Sequence, residues 1–499
     1  MKNISILKIL FSTVIFIALV IISGCTKKED ADKIPITTSS EEARADFIKG
    51  RDLFEKQRVQ ESLQHFESAI AKDKDFALAY YYHAIANPTT KGFFEDLEKT
   101  TALSDKVSEG EKLLILALKA GVDGNQAKQE EHLKKLVELY PNDERVHGWL
   151  GQFYFGQQEY QLAVDHLKKA SEIAPEFSAA YNMMGYSYRN LGNYSEAEKA
   201  FQEYIKLIPD DPNPYDSYAE LLLKEGKYEA SIEQYKKALN INPNFIGSHL
   251  GIATNYTFQK KYEEARKQCD ALYGMARDDG EKRAALFTKT VSYVDEGNTD
   301  MALQEMQKQY ELAEKINDAG DMSNDLNTMG NILFDAGRYD EAKEKYDQAL
   351  TMTLNSNLPE EVKENTKRLD IYNQAKILLM NGKLADAKTK AKEFSEKAAL
   401  ANNTFQGWLS HELNGMIALN EKDYKKAQEE FMQANQQNPY THYRLALAYS
   451  GAGNKEEAKK HYEMSKNFNA LTNLNQAFVR SKAEKMLATD LTSPKSSTY

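Results

Sequence analysis

Four prolines, Pro141, Pro175, Pro209 and Pro243, stand 34 residues apart. A fixed period of that length constrains the fold more than composition does, because it marks one supersecondary unit repeated and stacked. Other positions keep the same phase. Ala117, Gly151, Gly185, Ala219 and Ala253 are small, and three residues after them come Ala120, Tyr154, Tyr188, Leu222 and Tyr256. Twelve after the small residue stand Gln129, Ala163, Ala197, Ser231 and Ala265; sixteen after it stand Leu133, Leu167, Phe201, Tyr235 and Cys269. Small residues at a fixed phase let packed helix backbones approach, and the large ones fill the gaps. Proline fits a helix's first turn but not its interior, so it marks the handover between units. Gly-Asn and Gly-Lys in LGNYSEA and EGKYEAS punctuate the turn inside a unit.

The pattern resembles the tetratricopeptide repeat, which has a small residue at position 8, an aromatic at 11, Ala at 20, an aromatic at 24, a small residue at 27 and Pro at 32. The stretch GQFYFGQQEYQLAVDHLKKASEIAP carries nearly all of it. The resemblance implies an all-α fold: an α-solenoid, wound as a right-handed superhelix, of about 12 helix pairs with a C-terminal capping helix. Upstream, Gly50, Leu53, Ser62, Phe66 and Ala69 form a first unit; the second, from Ala84, is interrupted by Asn87-Pro88-Thr89-Thr90. Downstream, Ala302, Ala342, Ala387, Ala427 and Ala458 take the position-20 role at intervals of 40, 45, 40 and 31, so surplus residues lengthen helices. Glu360 to Met380 reads as one long helix after Pro359, and Asn475 to Met486 as an amphipathic cap. The expected division is a 34-residue array over 43–277 and a longer-period array with its cap over 278–490, the period changing within MARDDGEK at 275–282. Residues 491–499 read as a disordered tail. Each unit of such an array is expected to stack only on its neighbours, giving a long curved surface.

The first residues have a different character. Lys2 and Lys8 flank an apolar run from Ile9 to Ile22 that ends in Ile22-Ser23-Gly24-Cys25. A basic start, an apolar middle and small residues before a cut mark a secretory signal peptide. A thiol directly after Ser-Gly resembles the bacterial lipobox, with Ile22 where Leu is usual. The resemblance implies a signal peptide over 1–24, lipid on Cys25, and localisation as a lipid-anchored protein of the bacterial cell envelope. An uncleaved membrane anchor fits less well, because Ser12 and Thr13 dilute the run. Thr26 after the cysteine favours the outer membrane over the inner. Residues 25–42 then read as a lipidated flexible tether with a coil reach of roughly 20–25 Å. Loss of two lysines with the signal takes the formal charge from −11 to −13. That charge disfavours a nucleic-acid partner.

Chemistry is not advertised. The chain has no Gly-rich Lys-Ser/Thr phosphate loop, no His-Glu-x-x-His and no Gly-x-Ser-x-Gly. Gly185-Tyr186-Ser187-Tyr188 begins like a nucleophile elbow but lies inside a repeat helix. His147 and His411 fall at aromatic positions and read as packed rings, and Cys269 as an inert core thiol. No enzyme activity, cofactor or metal site is expected.

What remains is the surface that the resemblance implies: the first helix of each unit lines a concave groove that holds an extended peptide or a partner helix. Carried onto this sequence, the groove positions are Asn182, Tyr186, Arg189 and Asn190 in the regular array, and Asn327, Asn331, Tyr372 and Lys376 in the longer-period one. Asn327 and Asn331, one helical turn apart, suit a peptide backbone. The Lys/Asn clamp of chaperone-binding repeats is absent, since the corresponding pairs are Gly148/Gln152, Asn182/Tyr186 and Asp216/Glu220. The expected function is an envelope scaffold or adaptor that binds protein or peptide partners. The alternative is a glycan- or nutrient-capture lipoprotein of an uptake system.

Overall fold

The computed structural model describes residues 32–489, so the signal peptide, Cys25 and the C-terminal tail lie outside the described residues. Within them the chain is all-α and without strands: twelve successive antiparallel helix pairs, from Glu41–Glu55 with Val59–Lys72 to Pro439–Gly451 with Lys455–Lys466, and a final helix Leu474–Ala488. The helices from Asp279 to Asn420 run 16 to 21 residues, and the α-helices elsewhere 10 to 15. The longer spacing is therefore absorbed as extra helical turns. Glu360–Met380 is the single long helix expected.

Packing follows the phase. Ala163, Ala197, Ala265, Ala302, Ala342, Ala387, Ala427 and Ala458 are all fully buried where the two helices of a pair cross. The small residue of the first helix meets the large one of the second: a methyl on Gly185 would lie 2.5 Å from the Phe201 ring, one on Gly330 2.5 Å from Tyr346, and one on Gly415 2.6 Å from Phe431. Eleven of the twelve pairs turn through one left-handed residue. It is glycine at 124, 192, 226, 297, 337, 382 and 453, but Gln57, Gln158, Lys260 and Lys422 adopt the same conformation at φ of 60–63°. The exception is the interrupted second pair, where Asn87-Pro88 makes the turn and Thr89 caps the next helix. Pro141, Pro175 and Pro243 sit two residues before the next N-cap, outside both helices rather than in a first turn.

Two expectations are corrected. Residues 33–40, assigned to a flexible tether, are instead pinned along the first pairs. Lys33 Nζ reaches Glu144 Oε2 at 2.6 Å, Ile34 N–H donates to Asp143 at 3.0 Å, Thr37 N–H to Glu111 at 2.8 Å, and the Thr38 hydroxyl to Asp73 at 2.6 Å. Four buried or half-buried carboxylates receive this strand of chain, so it cannot swing freely.

The second correction concerns shape. The units do not touch only their neighbours, because the later part of the solenoid runs back over the earlier part. Thr90 Oγ1 donates to Asp321 at 2.8 Å and Lys91 N–H to Asp318 at 2.8 Å; Gln158 Nε2 reaches Asn435 at 2.7 Å. Lys224 Nζ donates to the Phe468 carbonyl at 2.7 Å, with its ammonium 3.9 Å from the centre of the Phe468 ring. The capping helix Leu474–Ala488 packs on Asp279–Glu296 as well as on the last pair. Its Arg480, 6% exposed, pairs with both oxygens of Asp295 and donates to the Thr257 and Phe258 carbonyls. The cap thus closes one turn of the superhelix onto another.

Candidate partner-binding site

The eight groove candidates separate into two neighbourhoods. Asn327, Asn331, Tyr372 and Lys376 converge on one cavity of about 610 Å³, lined by the first helices of four successive pairs, Ala319–Asp335, Glu360–Met380, Thr404–Asn420 and Pro439–Gly451. Asn182 and Tyr186 line a second cavity, of about 670 Å³, together with Asp216 and Glu220. Arg189 and Asn190 line neither.

In and beside the second cavity most polar groups answer one another, although Asn182 Oδ1 and Arg189 Nε are buried without a partner among the described residues. Tyr186 Oη donates to Glu220 Oε1 at 2.9 Å, Arg189 Nη1 donates to Glu220 Oε2 at 3.1 Å, and the guanidinium lies 4.6 Å from the centre of the Tyr186 ring. Asn182 is buried and donates to Asn213 at 3.3 Å. Burial and the neighbouring Glu220 hold the Asp216 carboxyl well above the usual carboxylate range, with the Ser248 hydroxyl, at 2.7 Å, opposing them. These residues join adjacent pairs to each other.

The first cavity is less self-contained. Asn331 Oδ1 accepts from Tyr346 Oη at 2.8 Å, and Asn327 Nδ2 donates to the Ser323 carbonyl at 3.1 Å. Each amide thus keeps one polar atom without a partner among the described residues. Tyr372 Oη donates to Glu412 Oε1 at 2.7 Å. Arg444 Nη1 lies 2.8 Å from the same oxygen, and its guanidinium stacks 4.0 Å from the centre of the Tyr440 ring. Tyr440 Oη and Lys482 Nζ both donate to Asp335 Oδ1, at 2.9 and 2.6 Å. Lys376 is 6% exposed, and burial lowers its ammonium to about 8, with Glu412 opposing and Arg444 reinforcing that shift.

Glu412, Arg444, Asp335 and Tyr440 were missed by reading the sequence one unit at a time. A signal existed for Glu412, which lies 40 residues after Tyr372, at the same interval that separates Ala387 from Ala427. A larger cavity of about 1310 Å³, between Lys91–Ala102 and the segment 347–359, contains none of the eight candidates.

The residues set aside as structural behave as such. Burial pushes the Cys269 thiol up to about 12, and the Ser187 hydroxyl donates to the Met183 carbonyl of its own helix at 2.8 Å. His147 is buried with Nε2 3.1 Å from the Pro141 carbonyl, and His411, about a third exposed, places Nδ1 2.8 Å from Glu430. No group of three or more potential metal ligands occurs among the described residues. No described helix is long and apolar enough to cross a membrane.

Protein-family models agree with the repeat architecture. Family models described as tetratricopeptide repeat match residues 144–177, 178–211, 323–355 and 439–464, and one described as TPR repeat matches 219–257. No curated protein matches the sequence. Among solved structures, the crystal structure of MamA is 25% identical, covering 32% of this chain and 95% of its own, with a TM-score of 0.27. A tetratricopeptide repeat protein from Parabacteroides merdae is 17% identical, covering 53% of this chain and 99% of its own, with a TM-score of 0.35. The segments matched by the family models are tetratricopeptide repeats, and such repeats indicate a protein–protein interaction scaffold.

Proposed function

We propose that this protein is a scaffold or adaptor of a bacterial cell envelope, held to the membrane by lipid on Cys25 and binding protein or peptide partners through the inner face of its repeat superhelix. The observation that supports the reading is the convergence of Asn327, Asn331, Tyr372 and Lys376, from two successive first helices, on one cavity with unpartnered amide atoms. An extended peptide needs such donors and acceptors for its backbone. The lipobox-like Ile22-Ser23-Gly24-Cys25 supports the anchor, and Thr26 favours the outer membrane. The role is positioning of partners, without chemistry of its own.

In-cell crosslinking of the full-length protein beside a Cys25→Ser control tests this. A small set of envelope proteins should crosslink near Asn327 or Tyr372 and be lost in the control. Only self-contacts, or the same partners without Cys25, would overturn the anchored-scaffold reading. The size of the cavity, within the range of small-ligand sites, favours a second reading, glycan or nutrient capture. Calorimetric titration with a polysaccharide checks it, and no heat of binding rejects it for that ligand.

A further inference from the structure

Lys376 carries a charge that its surroundings leave unanswered. Its ammonium lies 4.6 Å from the centre of the Tyr372 ring, 4.9 Å from that of Phe334 and 5.6 Å from that of Tyr346. Among the described residues it makes no hydrogen bond and no carboxylate comes within 4.0 Å of it. Aromatic faces recover part of the hydration that a buried ammonium loses, but they do not replace a counter-ion. The acid that acts on it is already committed: Glu412 takes the Tyr372 hydroxyl and faces Arg444. The Arg444–Glu412 contact is close but poorly aligned, and Nη1 makes no directed hydrogen bond. Of the two cations in the lining, Arg444 faces Glu412 and Lys376 is left unpaired. Asp335 is held by Lys482 and Tyr440, and neither it nor Asp370, which accepts from Gln374 at 2.6 Å, comes within 4.0 Å of the Lys376 ammonium.

We propose that this cavity binds an organic carboxylate, whose charge is met by the Lys376 ammonium. The carboxylates Asp335, Asp370 and Glu412 in the same lining disfavour a dianion such as phosphate. Trp408, Phe405 and Phe478, also in the lining, give the body of such a ligand apolar surface. The carboxylate belongs either to a free small molecule or to the C-terminus of a polypeptide. The inference rests on the cavity named in the proposed function and specifies the chemistry recognised there.

The test is equilibrium binding to the full chain and to Lys376→Met, with three probes: a pool of hexapeptides with free C-terminal acids, the same pool as C-terminal amides, and a panel of N-acetylated amino acids. One charge-assisted pair predicts that the acid forms bind wild type about tenfold or more tighter than they bind the variant. The amides should bind both proteins equally weakly. Hexapeptide acids outbinding acetylated amino acids identify a chain terminus; the reverse identifies a small molecule. Lysine ε-carbon NMR gives a readout independent of variant folding, because saturation with the acid probe should move the Lys376 titration upward. Equal binding of acids and amides overturns the carboxylate inference and leaves the partner-groove reading standing. An unmoved Lys376 titration, or no binding of any probe, also overturns the inference.

Discussion

An ammonium set against three aromatic rings with no acid beside it is held at the expense of the folded state. Lowering Lys376 from its ordinary 10.5 to about 8 corresponds to about 3 kcal/mol at neutral pH. The unfolded chain binds the extra proton between those two values, so this penalty is full below pH 8 and disappears as pH rises toward 10.5. Lys376→Met, similar in shape and uncharged, is therefore expected to melt higher than wild type at pH 7, with the difference closing as the pH is raised. A thermal-melt series from pH 7 to 10 checks it, and a variant that melts lower at pH 7 contradicts it. Register alone brought Asn327, Asn331, Tyr372 and Lys376 to one place. It did not show that Tyr186 and Arg189 would be consumed by Glu220, 34 residues beyond Tyr186, or that Tyr372 would find Glu412 40 residues on. In a stacked repeat a side chain's partner is often the same position one period later, and a search within one unit does not look there.

The turn inside each pair is the element whose sequence and geometry disagree most often. A left-handed backbone costs a residue with a side chain about 1–2 kcal/mol, and glycine gives back part of that in unfolded-state entropy. Lys422, at φ 62° with no side-chain partner among the described residues, should thus tolerate glycine well. Lys422→Gly is expected to stabilise by about 0.5–1 kcal/mol, and Gly382→Ala, at the equivalent turn, to destabilise by about 1 kcal/mol. Urea midpoints for the two variants decide it, and equal shifts of one sign would contradict the argument. The Gly-Asn and Gly-Lys turns were legible because glycine announces a positive φ. Gln57, Gln158, Lys260 and Lys422 announce nothing and are found only by phase. Helix lengths were more readable than turns, since Glu360–Met380 is bounded by Pro359 before it and Asn381-Gly382 after it.

At the scale of the molecule, stability rests on contacts that no neighbouring-unit argument contains. Arg480→Met would leave Asp295 buried with only the Tyr262 hydroxyl, 2.9 Å away, and should cost about 3–5 kcal/mol. Replacing both partners, Arg480→Met with Asp295→Leu, should recover most of that. Thermal melts of the two single variants and the double form the cycle. An additive double variant would mean the pair is not coupled. The cap's existence was visible as a helical period after the last unit, but its seat on Asp279–Glu296 was not. Where one turn meets another depends on the small rotation between successive pairs, which accumulates over many units and leaves no local mark. The Thr90–Asp321 and Gln158–Asn435 contacts carry a consequence for how such a chain can change. Duplicating or deleting a pair does little harm to an open array, in which neighbour contacts simply repeat. Here one extra pair between those rows would slide each of these residues past its partner by a whole unit. The number of units is therefore as constrained in this protein as the identity of its buried residues.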